Sequence, residues 1–145
     1  MGTRATYRVK EVHPYGNFTQ CFYIHYDGYP EGAVAYFKTL LTNFSYLKES
    51  TPLGAESLSW RRGKAIAAFA MLAYCEFTEG HEEHGDTEYL YNLMYIHRDN
   101  KWFISATKVN RWNEDGFFKT LEFFDGELNE FIEFYSQSKA ANQHA

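Results

Sequence analysis

Polar and apolar positions alternate from the start of the chain. Over residues 4–12, Tyr7 and Val9 interleave with Thr6, Arg8 and Lys10, the period-two pattern of a strand with one face buried. His13-Pro14-Tyr15-Gly16-Asn17 brings turn chemistry. Alternation resumes over 18–26, with Phe18, Phe22, Ile24 and Tyr26 on one face and Thr19, Cys21, Tyr23 and His25 on the other. Together these segments predict a hairpin.

The period then changes. Pro30 suits a first helical turn, where its missing N–H is no loss. Val34, Phe37 and Leu41, flanked by Ala33 and Leu40, predict a helix over 31–42, with a connector over 43–54. A longer helix is predicted over 55–74 from the stripe Leu58, Ala65, Phe69 and Leu72, widened by Ile66 and Ala70; Gly63 is its weak point. The polar stretch 79–88 reads as a loop. Strands are expected at 89–97 and 101–108 about the turn Arg98-Asp99-Asn100, and a fifth at 117–124 after Asn113-Glu114-Asp115-Gly116. Asp125-Gly126 is expected to open a final helix carrying Leu128, Phe131, Ile132 and Tyr135, with Asp125 as its N-cap.

The order ββααβββα predicts an α+β fold: a single antiparallel sheet of about five strands with helices mainly on one face. Residues 1–138 are expected to form one domain and 139–145 a frayed tail.

Composition adds constraints. A chain of 145 residues can close a core without staples. Its 19% aromatic content, with 13 Phe and 12 Tyr, predicts a sheet engaged on both faces, an oligomer interface such as a homodimer's, or an aromatic core and nothing more. The net charge of −5 argues against sequence-independent nucleic-acid binding; Arg61-Arg62-Gly63-Lys64 is the one basic cluster and reads as a solvated helix face. Cys21 and Cys75 sit in apolar stretches and are too few for a disulfide framework. No apolar run approaches a membrane span, and no signal-peptide core follows the N-terminus. A cytoplasmic location is expected, with no membrane partner. Met1-Gly2-Thr3-Arg4-Ala5-Thr6 fits the short N-myristoylation pattern but lacks the polybasic signal that stable anchoring needs.

Pairing of the first two strands about Tyr15 sets opposite one another residues whose numbers sum to roughly 30, which brings Thr3 and Arg4 to Tyr26 and Asp27. Arg4, His25, Asp27, Gly28 and Tyr29 then gather as a candidate binding site where the sheet edge meets the first helix. Free N–H groups there, with Arg4, suit a phosphate or carboxylate. The same residues also fit a self-contained turn in which Arg4 pairs with Asp27 and Gly28 takes a positive φ. His25 oriented by Asp27 could act as a base in a small hydrolase or phosphoesterase. The cluster His81, Glu82, Glu83, His84 and Asp86 departs from H-E-x-x-H and reads as a solvated loop rather than a metal site. No phosphate-cradling loop, nucleophile elbow or C-x-x-C is present, so no cofactor is expected.

The opening "MGTRA" and the later "HYDGYPEG" resemble a family of small phage and bacterial proteins that begin MGTR-S/A and carry an (H/Q)-aromatic-D-G-Y box. The match covers the first thirty-odd residues; the hairpin "DTEYLYNL" with "KWFISATKV" is similar more loosely. The resemblance implies a phage or mobile-element context, hence the host cytoplasm, and points to the shared positions Arg4, His25, Asp27, Gly28 and Tyr29. It implies no activity. The expectation is a non-enzymatic accessory protein that binds a host protein or a small anionic ligand and serves as an inhibitor of host defence. The hydrolase and a structural or assembly factor are the alternatives.

Overall fold

A computed structural model describes residues 2–49, 63–80, 87–110 and 119–144. The first alternating segment forms β1, Ala5–Val12, which buries Ala5, Tyr7, Val9 and Glu11 and exposes Arg8. A turn closed by the Gly16 N–H donating to the His13 carbonyl at 3.0 Å returns the chain as β2, Phe18–Ile24, antiparallel to β1 with Tyr7 opposite Phe22. Helices α1, Pro30–Glu49, and α2, Lys64–Ala70, follow, then the short edge strand β3, Glu76–Thr78. β4, Tyr89–Ile96, lies on the other side of β1, and β5, Lys101–Asn110, and β6, Lys119–Glu127, extend the sheet before α3, Leu128–His144. The strand order is β3-β2-β1-β4-β5-β6.

The α+β class holds, with one sheet and its core on one face: Tyr7, Phe22, Tyr91, Leu93 and Ile104 pack with Phe37 of α1, Phe69 of α2 and Phe131 of α3. Two details differ from expectation. The sheet has six strands, and it is mixed rather than antiparallel, because β1 and β4 run parallel with Tyr7 level with Tyr91. Alternation reports which face a residue occupies and is blind to strand direction. β3 escaped notice because three residues are too few to show a period.

Element ends moved for local reasons. α1 continues to Glu49 because Phe44, 3% exposed, prolongs its buried stripe into the expected connector. α2 is described from Lys64 and stops at Ala70; residues 55–62 of the expected helix lie outside the described residues. Asp125 is not an N-cap: it pairs with Ser105 in β6, and Gly126 pairs with Ile104, so α3 begins directly from the strand. β6 carries a register shift opposite Ala106 and Thr107. Residues 117 and 118 of the expected fifth strand lie outside the described residues.

The aromatic content goes largely into this core, where Tyr7 stacks on Tyr91 at 5.2 Å and Phe37 meets Phe131 edge-on at 5.5 Å. A buried hydrogen-bonded clasp adds to it. Glu11 is fully buried on β1 and accepts hydrogen bonds from the Gly63 N–H at 3.0 Å and the Ile66 N–H at 3.2 Å. Its Oε1 also lies 2.7 Å from Nε2 of the equally buried His97. One carboxylate thereby satisfies backbone donors at the start of α2 and binds the residue just after β4, so α2, β1 and β4 are held by a single side chain. Both cysteines are free thiols, and no helix among the described residues is long and apolar enough to cross a membrane.

Removing this carboxylate strands its partners in a dry interior. Glu11→Ala is expected to destabilise the fold by about 3–5 kcal/mol in urea denaturation; a loss below about 1 kcal/mol would show that the clasp is dispensable.

Candidate functional site

The chain leaves β2 at Ile24 and bends before α1. The left-handed residue of this bend is Asp27, at φ 57°, not Gly28 as expected. Glycine is needed at 28 for space: a Cβ there would sit 2.7 Å from Ala5 Cβ and 2.9 Å from the Thr3 carbonyl oxygen. The Gly28 N–H donates to that carbonyl at 2.8 Å, and the buried Tyr91 hydroxyl donates to the Gly28 carbonyl at 2.5 Å. Gly32, in the first turn of α1, backs against Asp27, whose carbonyl oxygen would lie 2.6 Å from a Cβ at 32. Gly2 is close-packed in the same way under Tyr26 and the His25 carbonyl. The start of the chain therefore folds back over the bend.

The predicted site residues occupy neighbouring positions within that frame. The register pairs Ala5 with Ile24; continued outward, it sets Arg4 beside His25 and Thr3 beside Tyr26, one residue short of Asp27. The Arg4 main chain faces β4, its N–H donating to Glu88 Oε2 at 3.0 Å and its carbonyl accepting from the Glu88 N–H at 2.9 Å. His25 is exposed and lies 3.7 Å from Glu76 Oε1 on β3, with its ring edge-on to Tyr23 at 4.7 Å. Asp27 and Tyr29 do come together, the Tyr29 hydroxyl 3.5 Å from Asp27 Oδ1.

Beside Asp27 a groove of about 460 Å³ runs between α1 and the turn after α2, lined by Tyr26, Asp27, Tyr36, Thr39, Leu72 and Tyr74 among others. The Tyr36 hydroxyl donates to the Tyr26 carbonyl at 2.8 Å, which fixes that ring in the groove wall. Burial, and next the Asp27 carboxylate, push the Tyr36 phenol above its usual pKa, so it stays neutral. Among the described residues neither a lysine nor an arginine lines this groove.

Sequence reasoning passed over a second region, the sheet face away from the helices. Register aligns Cys21, Arg8, Asn92, Ser105 and Asp125 in one row across β2, β1, β4, β5 and β6. Lys10 lies one step along, between Thr19 and Met94. Three adjoining depressions of about 170, 470 and 230 Å³ all have Arg8 in their walls, and Lys10 lines the two larger ones. Among the described residues neither cation has a side-chain hydrogen-bond or ion-pair partner. The alternation in 4–12 already set Thr6, Arg8 and Lys10 on one face; what was missing was that β4 supplies Asn92 as the neighbour.

No group of metal-ligating side chains large enough to hold an ion occurs among the described residues, and residues 81–86 lie outside them. Compared with family models, with curated proteins and with solved structures, the chain finds no match.

Two stability outcomes follow from the packing under the bend. Gly28→Ala must push Ala5 or the Thr3 main chain aside and is expected to cost about 1–3 kcal/mol in chemical denaturation; an unchanged midpoint would contradict the close approach. Burial first, and then the neighbouring phenols beginning with Tyr7, hold the Tyr91 hydroxyl far above its ordinary range, and burial raises Tyr7 likewise. An unfolded tyrosine ionises near about pH 10, so the unfolded chain loses these protons first. Their contribution is complete below that pH and falls as pH rises above it. Urea midpoints are expected to fall steeply from about pH 9 to about pH 11, less so in Tyr91→Phe; equal slopes would contradict this.

Proposed function

We propose that the chain is a non-enzymatic binding protein that takes a small anionic ligand on the sheet face away from the helices, with Arg8 and Lys10 as the charge-bearing contacts. The observation that carries this reading is the pair itself. Two cations without a side-chain partner among the described residues project from one face of an interior strand, in a chain of net charge −5. Residues i and i+2 of a strand stand about 7 Å apart on the same side, a spacing that suits two oxygens of one polyanion. Asn92 and Ser105, in the row of Arg8, add neutral hydrogen-bonding groups. Glu79 and Asp125 line the outer ends of these depressions, toward β3 and β6, and confine an anion to the stretch over β1 and β4.

Hydrogen bonds to charged groups contribute about 1.5–3 kcal/mol each, so two such contacts support binding from about 0.04 to about 6 mM without any reacting group. The hydrolase alternative draws less support: His25 neighbours Glu76 rather than Asp27, and it does not line the groove beside Asp27. The resemblance of the N-terminal box supports a phage or mobile-element setting, in which interference with a host defence is the use we propose. The two free thiols favour the reducing host cytoplasm.

Titration of inorganic pyrophosphate into the isotopically labelled protein tests this reading. Amide shifts are expected at Thr6, Arg8, Lys10 and Asn92, weakening as salt is raised. Arg8→Ala and Lys10→Ala should each weaken binding about tenfold without altering the denaturation midpoint, and His25→Ala should leave it unchanged. Shifts confined to the surroundings of His25 and Asp27 would overturn the assignment to the face bearing Arg8 and Lys10.

A further inference from the structure

The described residues contain three non-glycine residues at positive φ: Asp27 at 57°, Tyr74 at 66° and Asn100 at 50°. Two of them, Asp27 and Tyr74, line the same groove. For Asp this conformation is tolerated, but for a bulky residue such as Tyr it is an outlier that costs on the order of 1–3 kcal/mol. Glycine would adopt it at no steric cost. The tyrosine gains little packing in return, since Tyr74 is 80% exposed. Tyr26, 55% exposed, presents a second ring, and Tyr36 a third that is anchored through its hydroxyl.

The remaining walls fit the same chemistry. The main chain and Cβ of Asp27 are packed against Gly32, which sets where its exposed side chain leaves the backbone. Among the described residues no basic side chain lines the groove. Three tyrosines and one carboxylate line the same groove, and aromatic rings beside a negative charge are the groups that attract a soft, weakly hydrated cation. The volume of about 460 Å³ falls within the range of small-molecule sites.

We infer that this groove is a binding site for a small alkylammonium molecule, its cationic head against Tyr26, Tyr36 and Tyr74 and its charge balanced by Asp27. The site lies on the helix side of the sheet and is independent of the anion site around Arg8 and Lys10. No bond is made or broken; binding is by cation–π attraction and charge complementarity.

Choline and its neutral tert-butyl analogue, in which carbon replaces the nitrogen, separate this from a merely apolar groove. Titrated into the full chain and followed by tyrosine side-chain resonances, choline is expected to shift Tyr26, Tyr36 and Tyr74 with a Kd below about 1 mM. The analogue should bind at least about tenfold more weakly. Asp27→Asn and Tyr74→Phe, both close in shape to the native residue, should weaken choline binding about tenfold for the first and less than about threefold for the second; Tyr74→Ala should weaken it as much as Asp27→Asn. The comparison of the two ligands on the unaltered protein needs no variant to fold. Equal binding of choline and the analogue, or no shift with choline at about 10 mM, overturns the inference. So does a trimethyllysine peptide that binds more than about tenfold tighter than choline, since the occupant would then be a protein segment.

Discussion

The structure depends on β1 being an interior strand. β1 is paired with β2 on one side over Ala5–Glu11 and with β4 on the other over Ala5–Val12, so its backbone groups find partners on both edges. One set of its side chains, Ala5, Tyr7, Val9 and Glu11, faces the helices and disappears into the core. Because side chains alternate strictly along a strand, the other set must face the opposite side of the sheet. The depth of the core and the position of Arg8 and Lys10 are therefore one constraint seen from two faces.

The same constraint shapes the bend before α1. The chain preceding β1 lies against the segment leaving β2, and this leaves no room for a side chain at 28. Tyr91 of β4 caps the bend from below through the Gly28 carbonyl. Asp27 is thus positioned by β1, β4 and the first turn of α1 together, though it is itself exposed on the surface. Glu11 plays the matching role at the other end of β1, where it holds the start of α2 and His97. The groove and the Arg8–Lys10 face, on opposite sides of the sheet, are both positioned by this central strand.

How much of this was legible in the sequence follows from what each pattern encodes. The odd–even split of β1 and the pairing of β4 with β5 about Asn100 were legible because alternation over eight or more residues has no other simple explanation. The parallel relation of β1 to β4 was not, since reversing a strand leaves its alternation unchanged. Asp125-Gly126 carries the composition of a helix start, yet pairing with Ser105 and Ile104 prevails over that local preference. At Gly28 the presence of glycine was informative, but a positive φ and a close approach both demand a missing Cβ; only the neighbouring Ala5 and Thr3 decide between them. Arg8 and Lys10 were legible as outward-facing residues, while their lack of an acidic partner among the described residues depends on strands distant in sequence. Tyr74 gave no signal, because the end of α2 at Ala70 is set by the turn that follows it.

Native-state hydrogen exchange measures the central claim directly. If β1 organises both faces, the amides of Tyr7, Val9 and Glu11 open only with global unfolding, and their exchange free energies equal the stability from urea denaturation, above those of edge strand β3. Exchange of the β1 amides at rates typical of β3, while β4 and β5 stay protected, would contradict the account.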